Sequence, residues 1–138
     1  MIKLIELNKQ HKNIKHKILR KISSLIDNSE FILGKEVELF EEEFATYCNR
    51  RYAIGVNSGT DALLLSLLTL DLQKNDEVII PAFTFFADAA VIERINAKVI
   101  FVDIDRRTFN IDLEDLKNKI TKNSKVIIPT HLFGLMND

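Results

Sequence analysis

The stretch Val78-Ile79-Ile80 decides the fold class of this chain. It is a short apolar run rich in β-branched residues, bounded by Asp76 and Glu77 on one side and by Pro81 on the other. Strands with one solvent-exposed face alternate apolar and polar residues, whereas strands of a parallel sheet that is covered on both faces are continuously apolar. The stretch therefore predicts a strand that is buried on both faces of a parallel sheet.

The rest of the chain repeats this pattern in alternation with helical segments. We predict four strands and three intervening helices, at residues 53–56, 78–80, 99–102 and 126–128 and at about residues 60–70, 86–96 and 113–121. This order predicts an α/β fold with a mostly parallel sheet, flanking helices and right-handed crossovers. Before it, apolar residues at helical spacing predict amphipathic helices at about residues 14–26 and 36–48.

Composition excludes several classes of function. The chain has 19 basic and 20 acidic residues, so it has no excess of positive charge for nucleic acid. No apolar run approaches the roughly 18 residues that a bilayer-spanning helix needs, and we expect no membrane association. The lone Cys48 cannot form an internal disulfide, which favours a cytoplasmic protein. The three histidines are scattered, so we predict no metal site.

The predicted binding edge of the sheet begins with Ser58-Gly59-Thr60, because ligands of parallel sheets bind beyond the carboxyl ends of the strands. This segment joins a predicted strand directly to a helix. Free N–H groups at a helix start bind anions, Gly59 would admit a phosphate, and Thr60 adds a hydroxyl donor. Alternatively, Ser58 or Thr60 is only a helix cap and Gly59 only a turn residue.

Other candidates follow the later strands, and each also has an ordinary structural explanation. Phe85 could cover the face of a flat ring, or it could belong to the core. His131 could contact a ligand, or it could be a structural histidine. Asp103 and Asp105 could form a carboxylate pair, but aspartates after strands usually form turns.

Taken together, five segments resemble the DegT/DnrJ/StrS family of sugar aminotransferases, in order and with the right gaps. The segments are Phe31-Ile32-Leu33-Gly34 with Glu41-Glu42-Glu43-Phe44, residues 55–63 (GVNSGTDAL), residues 76–85 (DEVIIPAFTF), residues 101–105 with 108–112 (FVDID and TFNID), and residues 128–134 (IPTHLFG).

The resemblance implies the fold-type-I fold of PLP-dependent transferases, in which pyridoxal 5'-phosphate (PLP) is held on the large domain. It implies an N-terminal helical segment at residues 1–34 and an incomplete N-terminal portion of the PLP-binding domain at residues 35–138. The residues that it assigns to the cofactor are Ser58, Gly59, Thr60, Asp61, Phe85 and His131. The implied reaction moves an amino group, usually from glutamate, to a keto carbon of a nucleotide-linked sugar, in a homodimer.

Two features depart from the family pattern. Asp88 stands where many relatives carry a small hydroxyl residue. Relatives also continue beyond this length and supply an Asp for the pyridine nitrogen, a Gln and the Schiff-base lysine. Lysines 117, 119, 122 and 125 do not match that lysine motif, so the catalytic residue is unknown. We therefore expect an N-terminal fragment of an enzyme, inactive by itself and only marginally stable.

Two other readings remain open on the sequence alone. The chain could be a non-catalytic remnant, or a partner-binding or regulatory module that keeps half a cofactor site. It could also be a small nucleotide-binding α/β protein, which the ordered motifs disfavour. Neither the keto sugar, nor the carbon that is aminated, nor the stereochemistry follows from the residues.

Overall fold

A computed structural model describes residues 5–137, which divide into two compact units after Gly55. Unit 1 contains helices α1 (Leu7–Asn28) and α2 (Lys35–Tyr47). Unit 2 contains, in chain order, α3 (Gly59–Leu68), β1 (Glu77–Pro81), α4 (Phe86–Arg94), β2 (Lys98–Val102), α5 (Leu113–Lys119) and β3 (Ser124–Ile127), followed by a 3-10 turn at Leu132–Gly134.

The three strands of unit 2 form one parallel sheet in the order β2-β1-β3. Val78 of β1 lies opposite Val99 of β2 and Val126 of β3. The pairing continues past the strand ends, because the Ile128 N–H donates to the Ile79 carbonyl over 2.9 Å. The predicted α/β class, with a parallel sheet and flanking helices, is confirmed.

The core of unit 2 lies on both faces of β1, all of whose residues are buried. Successive side chains of a strand point to opposite faces. On one face, α3 and α4 enclose the larger cluster, which consists of Leu64, Leu67, Val78, Ile80, Val91, Ile92 and Ala97. On the other face, Ile79, Val102 and Ile111 pack together, with Leu116 of α5 against them. The continuous apolar run at residues 78–80 is therefore explained by burial on both sides.

The two outer strands are covered less completely than β1. Phe101 of β2 is 50% exposed and Ile127 of β3 is 43% exposed. Ile127 lies on the face that α5 covers, since it pairs with Ile79. Phe101 lies on the opposite face, since it pairs with Ile80. The exposure is therefore not confined to one face, and the sequence-based expectation that one face of the sheet is poorly covered stays a prediction.

The predicted strand at residues 53–56 is wrong for the chain as described. Its residues form no ladder, and Ile54 is 81% exposed. A strand exists only where a neighbouring backbone accepts and donates its hydrogen bonds. Here the Gly55 N–H donates instead to Oε1 of Glu41 in unit 1, over 2.6 Å. The apolar pattern identified a segment suited to a sheet, but the described residues supply no strand to pair with it.

Unit 1 confirms both predicted amphipathic helices, although α1 begins earlier than expected. No residue of α1 is buried, and Ala45 is the only buried residue in α2. Lys21 of α1 forms an ion pair with Glu36 of α2. The predicted boundary between residues 34 and 35 concerns the complete protein and stays a prediction. Residues 1–4 and 138 of the two predicted segments lie outside the described residues.

Within residues 5–137, none of the helices combines the length and the apolar character needed to cross a membrane.

Candidate functional site

The starts of α3 and α4 lie at the edge of the sheet where the strands end. α4 begins shortly after the last residue of β1 and leads back toward the start of β2. The far ends of the two helices lie together, because Leu68 from α3 and Arg94 from α4 line one surface depression. The first turns of both helices must therefore lie at the opposite end, beside the carboxyl ends of the strands. This edge is where parallel α/β folds bind ligands.

Ser58 is the N-cap of α3. Its Oγ accepts the Asp61 N–H over 3.1 Å and donates to Oδ2 of Asp61 over 3.0 Å. The structural reading that the sequence left open for Ser58 is thus correct. Ser58 and Asp61 engage each other, so neither the Ser58 hydroxyl nor the Asp61 N–H can turn to a ligand without giving up the cap.

The next donors of the same turn have the properties of an anion site. In the part of the chain that the structure describes, the N–H groups of Gly59 and Thr60 have no acceptor, as is usual for the first turn of a helix. The hydroxyl of Thr60 lies on the same exposed turn. A Cβ placed on Gly59 would meet no heavy atom within 4 Å, so the backbone is open to an approaching group. Two N–H groups, a hydroxyl and the positive end of the helix dipole fit a phosphate.

Phe85 is not a core residue. It occupies the N-cap position of α4 and is 75% exposed. Its neighbour Phe83 instead packs on Phe109, with ring centroids 5.8 Å apart. An exposed ring just past the end of a strand is available to cover a flat ligand, as the sequence suggested.

His131 also lies at this edge, in the segment after β3, and it is exposed. The main-chain N–H of Asn137 donates to Nδ1 of His131 over 3.1 Å. Asn137 is itself held by the Thr130 carbonyl over 2.9 Å, so the imidazole is oriented by its own loop. Because Nδ1 accepts, Nε2 is the ring nitrogen that can face a ligand.

Sequence reasoning missed the partners of Asp88. The side chain is buried, at 7% exposure, and its Oδ2 accepts from the hydroxyls of Thr84 and Thr130. The two hydroxyls lie 2.8 Å from each other. Asp88 had stood out only as a departure from the family pattern. The threonines lie inside the quoted motifs, but nothing in their spacing indicated a shared partner.

Asp103 and Asp105 do not form a carboxylate pair. Oδ1 of Asp105 accepts the N–H groups of Thr108 and Arg107, over 2.8 and 2.9 Å. The Thr108 N–H, more than any other group, lowers the pKa of Asp105. Asp105 therefore shapes a turn, which is the structural alternative that the sequence had left open.

The neighbouring surface depression, about 330 Å³ in volume, is bounded by this turn and by Asn137, and it includes none of the predicted cofactor residues. Among residues 5–137, no group of three or more His, Cys, Asp and Glu side chains is arranged to hold a metal ion.

The model of the DegT/DnrJ/EryC1/StrS aminotransferase family matches residues 12–138. The chain belongs to this family. The "pleiotropic regulatory protein" of Geobacillus stearothermophilus is 40% identical over 99% of this chain. The UDP-2-acetamido-2-deoxy-3-oxo-D-glucuronate aminotransferase of Pseudomonas aeruginosa is 39% identical over all of it. The chain spans 37% and 38% of the lengths of these two relatives.

Two solved structures also resemble the chain. S. venezuelae DesV, solved with a ketimine intermediate, has a TM-score of 0.91 and 31% identity; the match covers 99% of this chain and 37% of that one. The E. coli GDP-4-keto-6-deoxy-D-mannose-3-dehydratase, solved with hydrated PLP, has a TM-score of 0.80 and 35% identity, over 84% and 31% of the two chains. The solved structures that the chain resembles therefore include a dehydratase as well as a protein solved with a ketimine intermediate. The assignment of individual residues to a cofactor stays a prediction.

Proposed function

We propose that the complete protein is a PLP-dependent aminotransferase, which transfers an amino group from glutamate to a keto group of a nucleotide-linked sugar. The observation that carries this proposal is the pairing of an open helix N-terminus at Gly59 and Thr60 with the exposed ring of Phe85 at one edge of the sheet. Membership of the family supplies the class of reaction.

Each residue has a distinct task in this proposal. The N–H groups of Gly59 and Thr60 and the Thr60 hydroxyl hold the phosphate, with Ser58 and Asp61 fixing the turn that presents them. Phe85 covers one face of the pyridine ring. His131, oriented through Nδ1, directs Nε2 toward the cofactor or the substrate. When bound, PLP supplies an electron sink for carbanion chemistry.

A matched pair of phenylalanines tests the cofactor site. Phe85 and Phe86 are adjacent and similarly exposed, at 75% and 78%. In the complete protein, Phe85→Ala should weaken PLP binding by about 1–3 kcal/mol, because a stacked ring and its buried area are lost. Phe86→Ala should leave the PLP affinity unchanged. Equal PLP dissociation constants for Phe85→Ala and wild type, measured by absorbance titration, would refute the site.

A regulatory role without catalysis is the second candidate, and the similarity to the pleiotropic regulatory protein of Geobacillus stearothermophilus favours it. The two functions are separated by incubating the PLP-loaded complete protein with glutamate and a panel of keto sugar nucleotides. Formation of 2-oxoglutarate together with an amino sugar supports the aminotransferase. PLP binding with no amino transfer across the panel supports the regulatory reading, and loss of oxygen from the sugar indicates a dehydratase.

We also propose that the complete protein works as a cytoplasmic homodimer. The single Cys48 is compatible with a reducing compartment, and exposed apolar residues at this edge, such as Phe133 at 89%, suit a subunit contact. Sedimentation of the complete protein at micromolar concentration tests the dimer; a monomer would contradict it.

A further inference from the structure

Asp88 lies between two loops that leave neighbouring strands. Thr84 is in the loop after β1, and Thr130 is in the segment after β3. The Thr130 hydroxyl contacts Oδ2 of Asp88 at 3.2 Å, and the Thr84 hydroxyl contacts the same oxygen. Thr84 and Thr130 are 46 residues apart in sequence, so this carboxylate contacts two segments that are distant along the chain.

Oδ2 of Asp88 is the acceptor that both hydroxyls share. Each threonine hydroxyl carries one proton and can donate it to this oxygen, and the two hydroxyl oxygens also lie within hydrogen-bond distance of each other. With Asp88 replaced by alanine, the hydrogen bond between the two threonine hydroxyls would remain, but both hydroxyls would lose their hydrogen bond to α4.

The residues that Asp88 holds stand directly before the two side chains proposed to contact the cofactor. Thr84 precedes Phe85, and Thr130 precedes His131. The Asp88 N–H also donates to the Phe85 carbonyl, over 3.2 Å. One buried side chain thus fixes the backbone just ahead of both Phe85 and His131.

We propose that Asp88 is a positioning residue, which sets the placement of Phe85 relative to His131 and thereby the geometry in which the cofactor ring is held. This inference rests on the proposed function. Asp88 acts through its two threonines and does not touch the cofactor. No basic side chain forms an ion pair with it within the described residues, so its burial is offset by the hydroxyl hydrogen bonds and by its place in the first turn of α4.

The inference is tested in the complete protein with Asp88→Ala, Asp88→Asn and Thr130→Val. Glu93→Ala is the matched control, since Glu93 is an exposed acid on the same helix. Asp88→Ala should raise the PLP dissociation constant about tenfold, the scale of losing hydrogen bonds to a charged group. It should also reduce the visible circular dichroism per bound PLP, because the ring is held less asymmetrically. Asp88→Asn keeps an acceptor oxygen and should recover most of both signals, and Thr130→Val should give a smaller change in the same direction.

A second readout needs no cofactor. In the apo protein, Asp88→Ala should speed amide hydrogen exchange in residues 83–87 and 129–134 while leaving β2 unchanged. If the wild-type protein binds PLP and Asp88→Ala matches it in affinity, dichroism and exchange, only the positioning role is overturned. If the wild-type protein does not bind PLP, the proposed function fails and this role fails with it. Where Asp88→Ala does not fold, Thr130→Val and Asp88→Asn decide the question by the same measurements.

Discussion

Glu77 stands at the amino end of β1 and is 3% exposed. Its carboxylate accepts from the hydroxyls of Thr121 and Ser124, over 2.6 and 3.1 Å, and from Nζ of Lys98 over 2.9 Å. The Thr121 hydroxyl, more than any other partner, lowers the pKa of Glu77 below its ordinary value of 4.5. One side chain therefore ties the start of β1 to the starts of both neighbouring strands.

The direction of this shift predicts how stability depends on pH. A carboxyl whose pKa is lowered on folding stabilises the fold above its unfolded pKa and loses that contribution as pH falls through the folded pKa. Glu77→Gln should therefore reduce the melting temperature most near pH 7, and the difference from wild type should shrink below about pH 4. Thermal melts of the complete protein from about pH 3 to pH 7 measure this. A difference that is independent of pH would contradict the prediction, and Glu93→Gln on the exposed side of α4 is the control.

Ser58 allows a second prediction at the scale of one residue. Ser58→Ala removes the cap of α3 and should destabilise the protein by about 1 kcal/mol in urea unfolding. Ser66→Ala is the control, because the Ser66 hydroxyl donates to the Ala62 carbonyl within the same helix and caps nothing. That variant should stay within about 0.5 kcal/mol of wild type. Equal losses for both serines would show that the cap of α3 does not contribute.

Among the strands, β1 is the most completely buried. Two isoleucines on the same face of the sheet allow the contribution of this burial to the unfolding free energy to be compared. Ile79 of β1 is fully buried, whereas Ile127 of β3 on the same face is 43% exposed. Ile79→Ala should cost about 2–5 kcal/mol of unfolding free energy, since a cavity opens between the sheet and α5. Ile127→Ala should cost about 1 kcal/mol, because less area is lost from contact. Chemical denaturation measures the unfolding free energy of both variants. A larger loss of unfolding free energy for Ile127→Ala than for Ile79→Ala would contradict the prediction.

The secondary-structure elements differ in how well they could be predicted from the sequence alone. Residues 78–80 were predictable because apolar pattern and burial coincide there, and residues 99–102 followed from their apolar pattern although only Val102 is buried. Residues 53–56 carry the same pattern without being a strand, since strand pairing depends on a partner elsewhere in the chain. At the site, the strand–Ser58-Gly59-Thr60–helix motif was readable, whereas the Asp88 network depends on contacts more than 40 residues apart, which no local pattern encodes.

For the whole molecule, the two units differ in how much core they contain. The helices of unit 1 bury only Ala45, whereas unit 2 holds two buried clusters. Large side chains are also widely exposed, among them Ile32 at 85%, Tyr47 at 86% and Phe133 at 89%. Exposed apolar surface of this kind promotes association.

The polypeptide of residues 1–138, expressed by itself, should therefore self-associate and show uneven protection. Hydrogen exchange should be fast across α1, α2 and residues 53–58, and slow at β1 and β2, because protection follows buried hydrogen-bonded structure. Light scattering and exchange mass spectrometry measure the two effects. A monomer with one cooperative melt, and with residues 53–70 protected as strongly as residues 99–102, would contradict this expectation.

The pairing of β1 has a consequence for how the chain is made. Both neighbours of β1 come later in sequence, so Val78, Ile79 and Ile80 can join no sheet until Lys98–Val102 has left the ribosome, about 20 residues on. At about 5–20 residues per second this interval lasts about 1–4 s. During this interval the apolar residues 78–80 remain unpaired, and only Asp76, Glu77 and Pro81 flank them. Charged residues and proline in such positions reduce the aggregation of unpaired strands. Ribosome-bound chains from which Ile80 has emerged and Lys98 has not should accordingly bind chaperones through this stretch and release them once Val102 has emerged.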